Sequence, residues 1–328
     1  MGFFYSQFFK TPAYPTGSYQ GKTIVITGSN TGLGKEAARH YVRMGASRMI
    51  LAVRNLDQGH EAKHDIEATT GCAADVIQVW RVDMSSYASV QKFAARINTE
   101  LDRVDIFLAN AGCAKLKYTT AEDNETQITV NVVATFLLVM LVLPKLKETA
   151  ARCKTRPVLS VTSSGAYQHT TFPQRTAPAG GLFAAINDQA TAEKHWAEQY
   201  PLSKLLEIFV VRAFAERYPA SASSSTGAGF PVTLSCVSPG LCHSGLAREQ
   251  DTLGFRALKL VLARSTEVGS RTLVHAGSGG VETHGQFLED CEVDPLNELV
   301  TGNKNVHDRL WNELVDKLKA IKSDVMDF

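Results

Sequence analysis

Bracing by disulfides and ligation of a metal are both poorly provided for in this chain. Its six cysteines, Cys72, Cys113, Cys153, Cys236, Cys242 and Cys291, are scattered, and no C-x-x-C pair occurs. Neither a zinc site nor a dithiol redox motif has its ligand spacing, so no metal is expected. Scattered thiols suit a reducing compartment, which makes a cytoplasmic location the expectation. An excess of one charge is also missing. Lys and Arg number 34 against 33 Asp and Glu, a net charge of +1, and such a chain has no field with which to gather nucleic acid. The first residues, MGFFYSQFFKTPAYPTGSYQ, lack a basic region ahead of a long apolar run, so no signal peptide is read there. The longest apolar stretch, VNVVATFLLVMLVLP over 130–144, ends at Pro144 between polar flanks. It predicts a buried helix and no transmembrane segment.

What is present is an ordinary globular composition, 44% apolar and 20% charged. The aromatic cluster Phe3, Phe4, Tyr5, Phe8 and Phe9 reads as an N-terminal arm, residues 1–20, packed on the body, covering a substrate site or touching a membrane. After it, short apolar runs alternate with helical patterns. KTIVITG (22–28), RMILAVR (48–54), AADVIQVWRVD (73–83), VDIFLANAG (104–112), PVLSVTSS (157–164) and PVTLSCVSPG (231–240) read as strands. Helices are expected over 33–44, near 86–101, over about 124–149 and from Tyr200 onward, with Pro201 in the first turn. Continuous apolar strands separated by helices argue for a parallel sheet covered on both faces. A seventh strand is expected near 285–290. Two stretches break the rhythm: 165–198, with little periodicity, and PASASSSTGAGF (219–230), a surface loop.

The first strand runs into ITGSNTGLGKEAA (26–38). Gly28, Gly32 and Gly34 let backbone approach a pyrophosphate at the N-terminus of the following helix. Further on, Tyr200 and Lys204 stand four residues apart in EQYPLSKLL, on one helical face. A free tyrosine, with a pKa of about 10, is a poor acid near neutrality. A neighbouring ammonium favours the phenolate and lowers that value. The end of the second strand reads LAVRN, with Arg54 and no carboxylate. An acidic residue there would bind the 2′-hydroxyl of NAD; a guanidinium suits the 2′-phosphate of NADP(H).

These motifs, TGxxxGxG from Thr27 to Gly34, NAG at Asn110, Ala111 and Gly112, the serine strand SVTSS and YxxxK at Tyr200 and Lys204, resemble the short-chain dehydrogenase/reductase family over nearly all of the chain after residue 20. The details look like retinol-dehydrogenase-like members and fungal members of secondary metabolism. The resemblance implies a single doubly wound α/β Rossmann domain over 21–328, with about seven mostly parallel strands. It implies cofactor contacts from Gly28, Asn30, Thr31, Gly32, Leu33, Gly34, Arg54, Asp83 (beside the adenine), Met84, Asn110, Ala111, Gly112, Pro239, Gly240 and Ser244. Tyr200 would exchange a proton with the substrate oxygen, and Lys204 would also hold the nicotinamide ribose. Asn131, where Ala134 replaces a more usual glycine, would hold a water leading to solvent. Alignment to the family's strand end makes Ser163 the catalytic serine, with Ser164 the alternative. The stretch from Ser163 to Tyr200 is much longer than the family's usual spacing, which points to a pocket built by the insertion 165–198 and the loop 241–265.

The expected activity is thus an NADP(H)-dependent interconversion of a carbonyl and an alcohol on a small hydrophobic, polyketide-like or terpenoid-like substrate. The alternatives are reduction of an activated C=C bond on the same scaffold, and a silent NADP(H)-binding regulator. His169, His243, Cys242 and Cys113 are minor candidates for contact with substrate. The family's dimers pair through the helices near 124–149 and 200–217, so a homodimer is a further expectation.

Overall fold

The computed structural model describes residues 3–221, 229–243, 246 and 262–328. Helix α1 (Phe3–Phe9) precedes strand β1 (Thr23–Thr27), helix α2 (Gly32–Arg43), β2 (Arg48–Val53), α3 (Leu56–Thr70), β3 (Ile77–Arg81), α4 (Tyr87–Glu100) and β4 (Ile106–Ala109). A small hairpin follows, β5 (Thr120–Ala121) and β6 (Asn124–Glu125). After it come α5 (Ala134–Cys153), β7 (Val158–Thr162), α6 (Leu182–Asn187), α7 (Gln189–Lys194), α8 (Trp196–Arg217) and β8 (Thr233–Ser238). The chain closes with α9 (Thr266–Gly277), β9 (Phe287–Glu289), β10 (Glu292–Val293), α10 (Glu298–Thr301) and α11 (Lys304–Ile321). The main sheet has the order β10-β9-β8-β7-β4-β1-β2-β3. All its pairings are parallel except the short edge pair β9–β10.

Both faces of the sheet are covered, which is why β1, β4 and β8 are buried along their whole length. On one face, Ala37 and Tyr41 of α2, Ile66 of α3 and Leu273 of α9 pack on Ile24, Ile26 and Leu108. On the other, α4, α5, α8 and α11 pack on Val25, Phe107, Leu159 and Leu234. The order reverses between β1 and β4, so the carboxyl ends of β1, β2, β4, β7 and β8 open on one crevice.

Helix α8 lies deepest. Its apolar residues point in every direction, with Leu205, Leu206, Phe209, Val210 and Phe214 all essentially inaccessible. Helix α11 covers its outer side: His307 stacks on Phe209 at 4.0 Å and Trp311 packs on Phe214 at 6.0 Å. Pairing two copies through α8 would have to displace α11.

Several expectations are corrected. The sheet has an eighth strand, β10, because the tight turn at Asp290 and Cys291, both at positive φ, folds the chain back on β9. Helix α8 begins at Trp196, so Pro201 sits inside it and not in its first turn. The expected helix over 124–149 is a π-helical turn (Ile128–Val133) continued by α5, which runs past Pro144 to Cys153. This run, Ile128–Cys153, is long and apolar enough to cross a bilayer, yet 89% of its most apolar window is buried inside the protein. The stretch 165–198 is not structureless. It forms 3₁₀ turns at Gly165–His169 and Pro173–Thr176, then α6 and α7.

Within that insertion, α6 is fastened at both ends. Asn187 accepts from the Glu125 amide at 2.7 Å, and its carbonyl accepts from the Tyr118 hydroxyl at 2.8 Å. The Glu313 carboxylate of α11 accepts from the amides of Gly180, Leu182 and Phe183 at 3.0, 2.9 and 3.2 Å. It therefore supplies the cap that α6 lacks from its own Gly181. Glu313→Ala is expected to weaken this segment by about 1–2 kcal/mol, the usual worth of a helix cap, with faster protease cleavage between residues 178 and 195 and a small fall in melting temperature. Unchanged cleavage in that segment would show that the insertion holds itself.

Candidate active site

The turn after β1 shows why glycine is needed there. Gly28 and Gly32 have φ of 68° and 61°, a region that favours glycine. A Cβ at Gly28 would lie 3.0 Å from Ala111 Cα, and one at Gly34 would lie 2.7 Å from the Gly28 carbonyl oxygen and 2.6 Å from Asn110 Nδ2. Gly32, by contrast, would meet nothing within 4 Å, so its backbone faces open space. Thr31, the residue before α2, gives no side-chain cap, which leaves the first amides of α2 for an anion at the helix N-terminus. The residues thus fit a dinucleotide pyrophosphate.

The NAG turn is built on the same loop. Thr27 Oγ1 accepts from the amides of Asn110 and Ala111 at 3.0 and 2.9 Å. Asn110 Nδ2 in turn donates to the carbonyls of Thr27 and Gly28 at 2.9 and 3.3 Å. The Asn110 side chain is therefore engaged in holding the loop. Asp83 is half-buried at the end of the third strand, where its carboxylate accepts from the amide and hydroxyl of Ser85 at 3.0 and 2.6 Å. Met84 beside it is buried.

Between α2 and α3 lies a cleft of about 410 Å³ lined by Asn30, Thr31, Lys35, Gln58, Glu61, Ala62 and Asp65. Lys35 is paired with Asp65 at 2.8 Å, and Arg39 holds the same carboxylate. Hydrogen bonds from Arg39 and then Lys35 pull the Asp65 carboxyl down to about 2. Arg54 is exposed just after β2 and, among the described residues, enters no ion pair. Asn55 follows it as the cap of α3, accepting from the Gln58 amide at 3.1 Å.

At the carboxyl end of β7 the two serines part company. Successive strand residues face opposite sides of a sheet. The Ser163 amide is still in the ladder, donating to Val237 at 2.8 Å, and its hydroxyl turns into the core to donate to the Lys204 carbonyl at 3.0 Å. Ser164 starts the 3₁₀ turn, accepts from the Ala166 amide at 3.1 Å, and lies close enough to Tyr200 to act on its phenol, lowering it against burial. Ser163, the expected serine, thus spends its hydroxyl on the Lys204 carbonyl, while Ser164, the alternative, is the one that acts on the Tyr200 phenol.

Tyr200 and Lys204 both come from α8, as the spacing implies. The Lys204 ammonium lies 5.7 Å from the centre of the Tyr200 ring. It donates to the Thr162 carbonyl at 2.9 Å and to Glu207 Oε1 at 2.8 Å. Gly112 leaves it room, since a Cβ there would lie 3.6 Å from the ammonium and 3.2 Å from Asn131 Oδ1. Asn131 sits within the π-helical turn, where Thr135 Oγ1 donates to the Val130 carbonyl five residues back at 2.8 Å. Its amide accepts from the Cys113 amide at 2.9 Å and donates to the Cys113 carbonyl at 3.0 Å and to Ser203 Oγ at 2.9 Å. These bonds clamp the NAG turn to α8 and engage the side chain that was expected to hold a water.

The electrostatics also depart from the simple expectation. Burial raises the Tyr200 phenol; Lys204 opposes this and Glu207 adds to it, with a net shift upward. Burial lowers Lys204, but Glu207 and Tyr200 outweigh it and the ammonium is held more firmly than usual. Glu207, fully buried, is the residue the sequence reading missed. Its signal was its position three residues after Lys204, on the same helical face.

The remaining expected residues fall around this centre. Pro239 and Gly240 follow β8, Gly240 with φ of 73°. The Gln7 side chain of α1 comes close to Gly240, and Arg264 Nη2 donates to the carbonyls of Ser6 and Lys10, both at 2.9 Å. The arm is thus tied down beside the Pro239–Gly240 turn, while Phe4, Tyr5, Phe8 and Phe9 stay exposed. Cys242 is buried beneath the Pro239 carbonyl, and burial pushes its thiol up to about 12. His169 and His243 are exposed. Ser244 and most of the loop 241–265 lie outside the described residues.

Comparison with known proteins places the chain in a family. The family model for short chain dehydrogenases matches residues 22–171. The chain is 64% identical over 327 residues to the short chain dehydrogenase/reductase dmxR8 of Cryptosporiopsis sp. (strain 8999), covering 99% of each chain. It is 43% identical over 294 residues to the short chain dehydrogenase atnD of Emericella nidulans, covering 88% of this chain and 90% of that one. Among solved structures, an uncharacterized protein from Mycobacterium paratuberculosis superposes with a TM-score of 0.67 at 22% identity, over 94% of this chain and 98% of the other. That last likeness concerns the fold alone.

The glycine loop gives a direct test. Gly34→Ala pushes a methyl group into backbone and is expected to weaken binding of NADPH, followed by its fluorescence, by about five- to a hundred-fold, since overpacking costs about 1–3 kcal/mol. Gly32→Ala meets no atoms and costs only the strain of its positive φ, about 1 kcal/mol or somewhat more. Equal binding by Gly34→Ala and the unaltered protein would remove the loop from the cofactor site.

Proposed function

The chain belongs to the short-chain dehydrogenase/reductase family and is an oxidoreductase with a dinucleotide-binding Rossmann fold, and on that premise we propose that it interconverts a carbonyl and an alcohol using NADP(H). The observation that carries the reading is the placing of Tyr200 and Lys204 one turn apart on α8, the ammonium 5.7 Å from the ring centre and beside Gly112, with Ser164 close enough to act on the phenol. A bound nicotinamide supplies or accepts the hydride. Tyr200 gives its phenolic proton to the substrate oxygen in reduction and takes it back in oxidation. The Ser164 hydroxyl donates a hydrogen bond to the same oxygen as charge develops on it. Lys204 keeps a positive charge next to the phenol and limits how far burial raises it. Asn131 and Ser203 keep the NAG turn and α8 in register.

Substrate class follows from what borders the site. Trp196, one helical turn before Tyr200 on α8, donates its Nε1 to the Lys115 carbonyl at 3.1 Å and meets Tyr118, from the stretch after β4, with ring centres 6.4 Å apart. Aromatic walls of this kind favour a largely apolar substrate, such as a polyketide or terpenoid ketone or aldehyde of fungal secondary metabolism.

The test is a screen of such carbonyl compounds for NADPH consumption, with product masses and a carbonyl assay to separate C=O from C=C reduction. Tyr200→Phe and Ser164→Ala are expected to lower kcat by about 10²–10⁴-fold for the proton step and by a smaller factor for the hydrogen bond, while NADPH binding stays close to normal. Ser163→Ala is expected to keep most of the turnover and lose stability instead. Near-normal kcat in Tyr200→Phe on the true substrate would overturn the assignment.

Cofactor choice rests on Arg54. Lys35 is already neutralised by Asp65, so the exposed guanidinium after β2 is the cation left for a 2′-phosphate. Charge-assisted hydrogen bonds contribute about 1.5–3 kcal/mol, so Arg54→Ala is expected to raise KM for NADPH roughly ten- to a hundred-fold and leave KM for NADH nearly unchanged. Equal or better use of NADH by the unaltered enzyme would refute this choice.

A further inference from the structure

Directly behind the Tyr200–Lys204 pair lies a carboxylate that the reaction as described above does not use. Glu207 is 1% exposed and Lys204 is 4% exposed, and they form an ion pair of 2.8 Å. A buried ion pair is costly to assemble, so its presence next to the proton donor asks for a reason. The geometry adds a second point. Glu207 Oε1 holds the ammonium, while Oε2 is buried and accepts no hydrogen bond. The Ser163 hydroxyl stands beside this carboxylate but is committed to the Lys204 carbonyl. One oxygen is thus dehydrated without a donor, the situation in which a carboxylate gains affinity for a proton.

We propose that Glu207 is a positioning residue that holds the Lys204 ammonium and, by being charged or neutral, sets how strongly that ammonium acts on the Tyr200 phenol. The proposal rests on the reading of Tyr200 as the proton donor. With Glu207 ionised, Lys204 and Glu207 together are close to neutral, and burial governs the phenol. With Glu207 protonated, the ammonium acts unopposed and Tyr200 becomes the stronger acid. The proton moves between Glu207 and bulk water; no other bond changes.

The groups around the carboxylate agree with this assignment. On its own helix it faces Lys204 and Tyr200. From β8 it faces the Cys236 thiol, which burial, reinforced by Glu207, holds far above its usual range and therefore neutral. From the end of β7 it faces the Ser163 hydroxyl. The Cys113 thiol of the NAG turn acts on Tyr200 and Lys204. Among these, Lys204 is the single positive charge. Burial, against the pull of Lys204, pushes the Glu207 carboxyl up to about 7, so the switch falls near neutrality.

The experiment reads the Tyr200 ionisation directly, with no substrate. The near-ultraviolet absorbance of tyrosinate is titrated in the unaltered protein and in Glu207→Gln, and the matching Tyr200→Phe variants are subtracted. Loss of the negative charge is expected to lower the Tyr200 pKa by roughly one unit or more, the size of a close charge effect. In turnover, the alkaline fall of the reduction rate moves to lower pH by the same amount, because reduction needs the phenol. The acid limb of the oxidation rate moves the same way, because oxidation needs the phenolate. Glu207→Asp keeps the charge and is expected to restore the ionisation towards that of the unaltered protein, which a purely structural role would not require. A folded Glu207→Gln with an unmoved Tyr200 titration overturns the proposal, and does so even where Tyr200→Phe is inactive and the catalytic reading stands. Full activity in Tyr200→Phe would instead overturn the catalytic reading. Should Glu207→Gln not fold, carbon-13 carboxyl titration of the unaltered protein decides. The glutamate signal lost in Glu207→Asp must titrate near neutrality, and titration near the ordinary value of about 4.3 overturns the proposal.

Discussion

Burial of helix α8 on all sides is the constraint around which the rest of this structure is arranged. A helix that presents Leu206, Phe209 and Phe214 to solvent would not be stable, and α11 and the insertion supply the cover. Burial then dictates the chemistry at the N-terminal half of the same helix. A charged lysine there needs hydrogen bonds, a counter-charge or both. Lys204 has both, from Glu207 at 2.8 Å and the Thr162 carbonyl at 2.9 Å. The ion pair, the serine strand and the tyrosine are therefore one assembly, and a change at any of them is felt by the others.

A second economy lies in the loops. The glycine turn after β1 and the NAG turn after β4 are each other's scaffold: Thr27 orders the amides of Asn110 and Ala111, and Asn110 orders the carbonyls of Thr27 and Gly28. Asn131 then ties the NAG turn to α8 through Cys113 and Ser203. A continuous set of bonds thus joins the glycine turn to α8 near Tyr200 and Lys204. Preorganisation of this kind keeps donors aimed before a ligand arrives.

Much of this was legible in the residues, and the failures have physical causes. Continuous apolar strands gave away β1, β2, β4, β7, β8 and β9, because burial on both faces leaves no other composition. Tyr200 and Lys204 were legible because helical spacing ties sequence distance to a shared face. The choice between Ser163 and Ser164 was not legible because two adjacent serines at a strand end differ only in which side of the sheet they face, and that depends on the residue at which the ladder with β8 stops. Glu207 was overlooked because a glutamate one turn after a lysine resembles a solvated surface pair. Only the cover laid down by α11 and the sheet makes it buried. The insertion was read as irregular because α6 and α7 are six residues each, too short to show periodicity, and α6 draws its cap from Glu313, which lies 131 residues away from Leu182.

The order of dependence runs one way. The sheet can form without the insertion, since none of its strands comes from 165–198. The insertion leans on α11 through Glu313 and on β6 through Asn187, and its end, Trp196, is the first residue of α8. The Thr171 amide and hydroxyl and the Thr170 hydroxyl also converge on Glu198 Oε2 at 2.6, 3.0 and 3.1 Å, two residues before Tyr200. The insertion is thereby continuous with the helix that carries Tyr200. A substrate that rearranged the insertion would act on the entry of α8, where Tyr200 and the nearby Lys204–Glu207 pair are held.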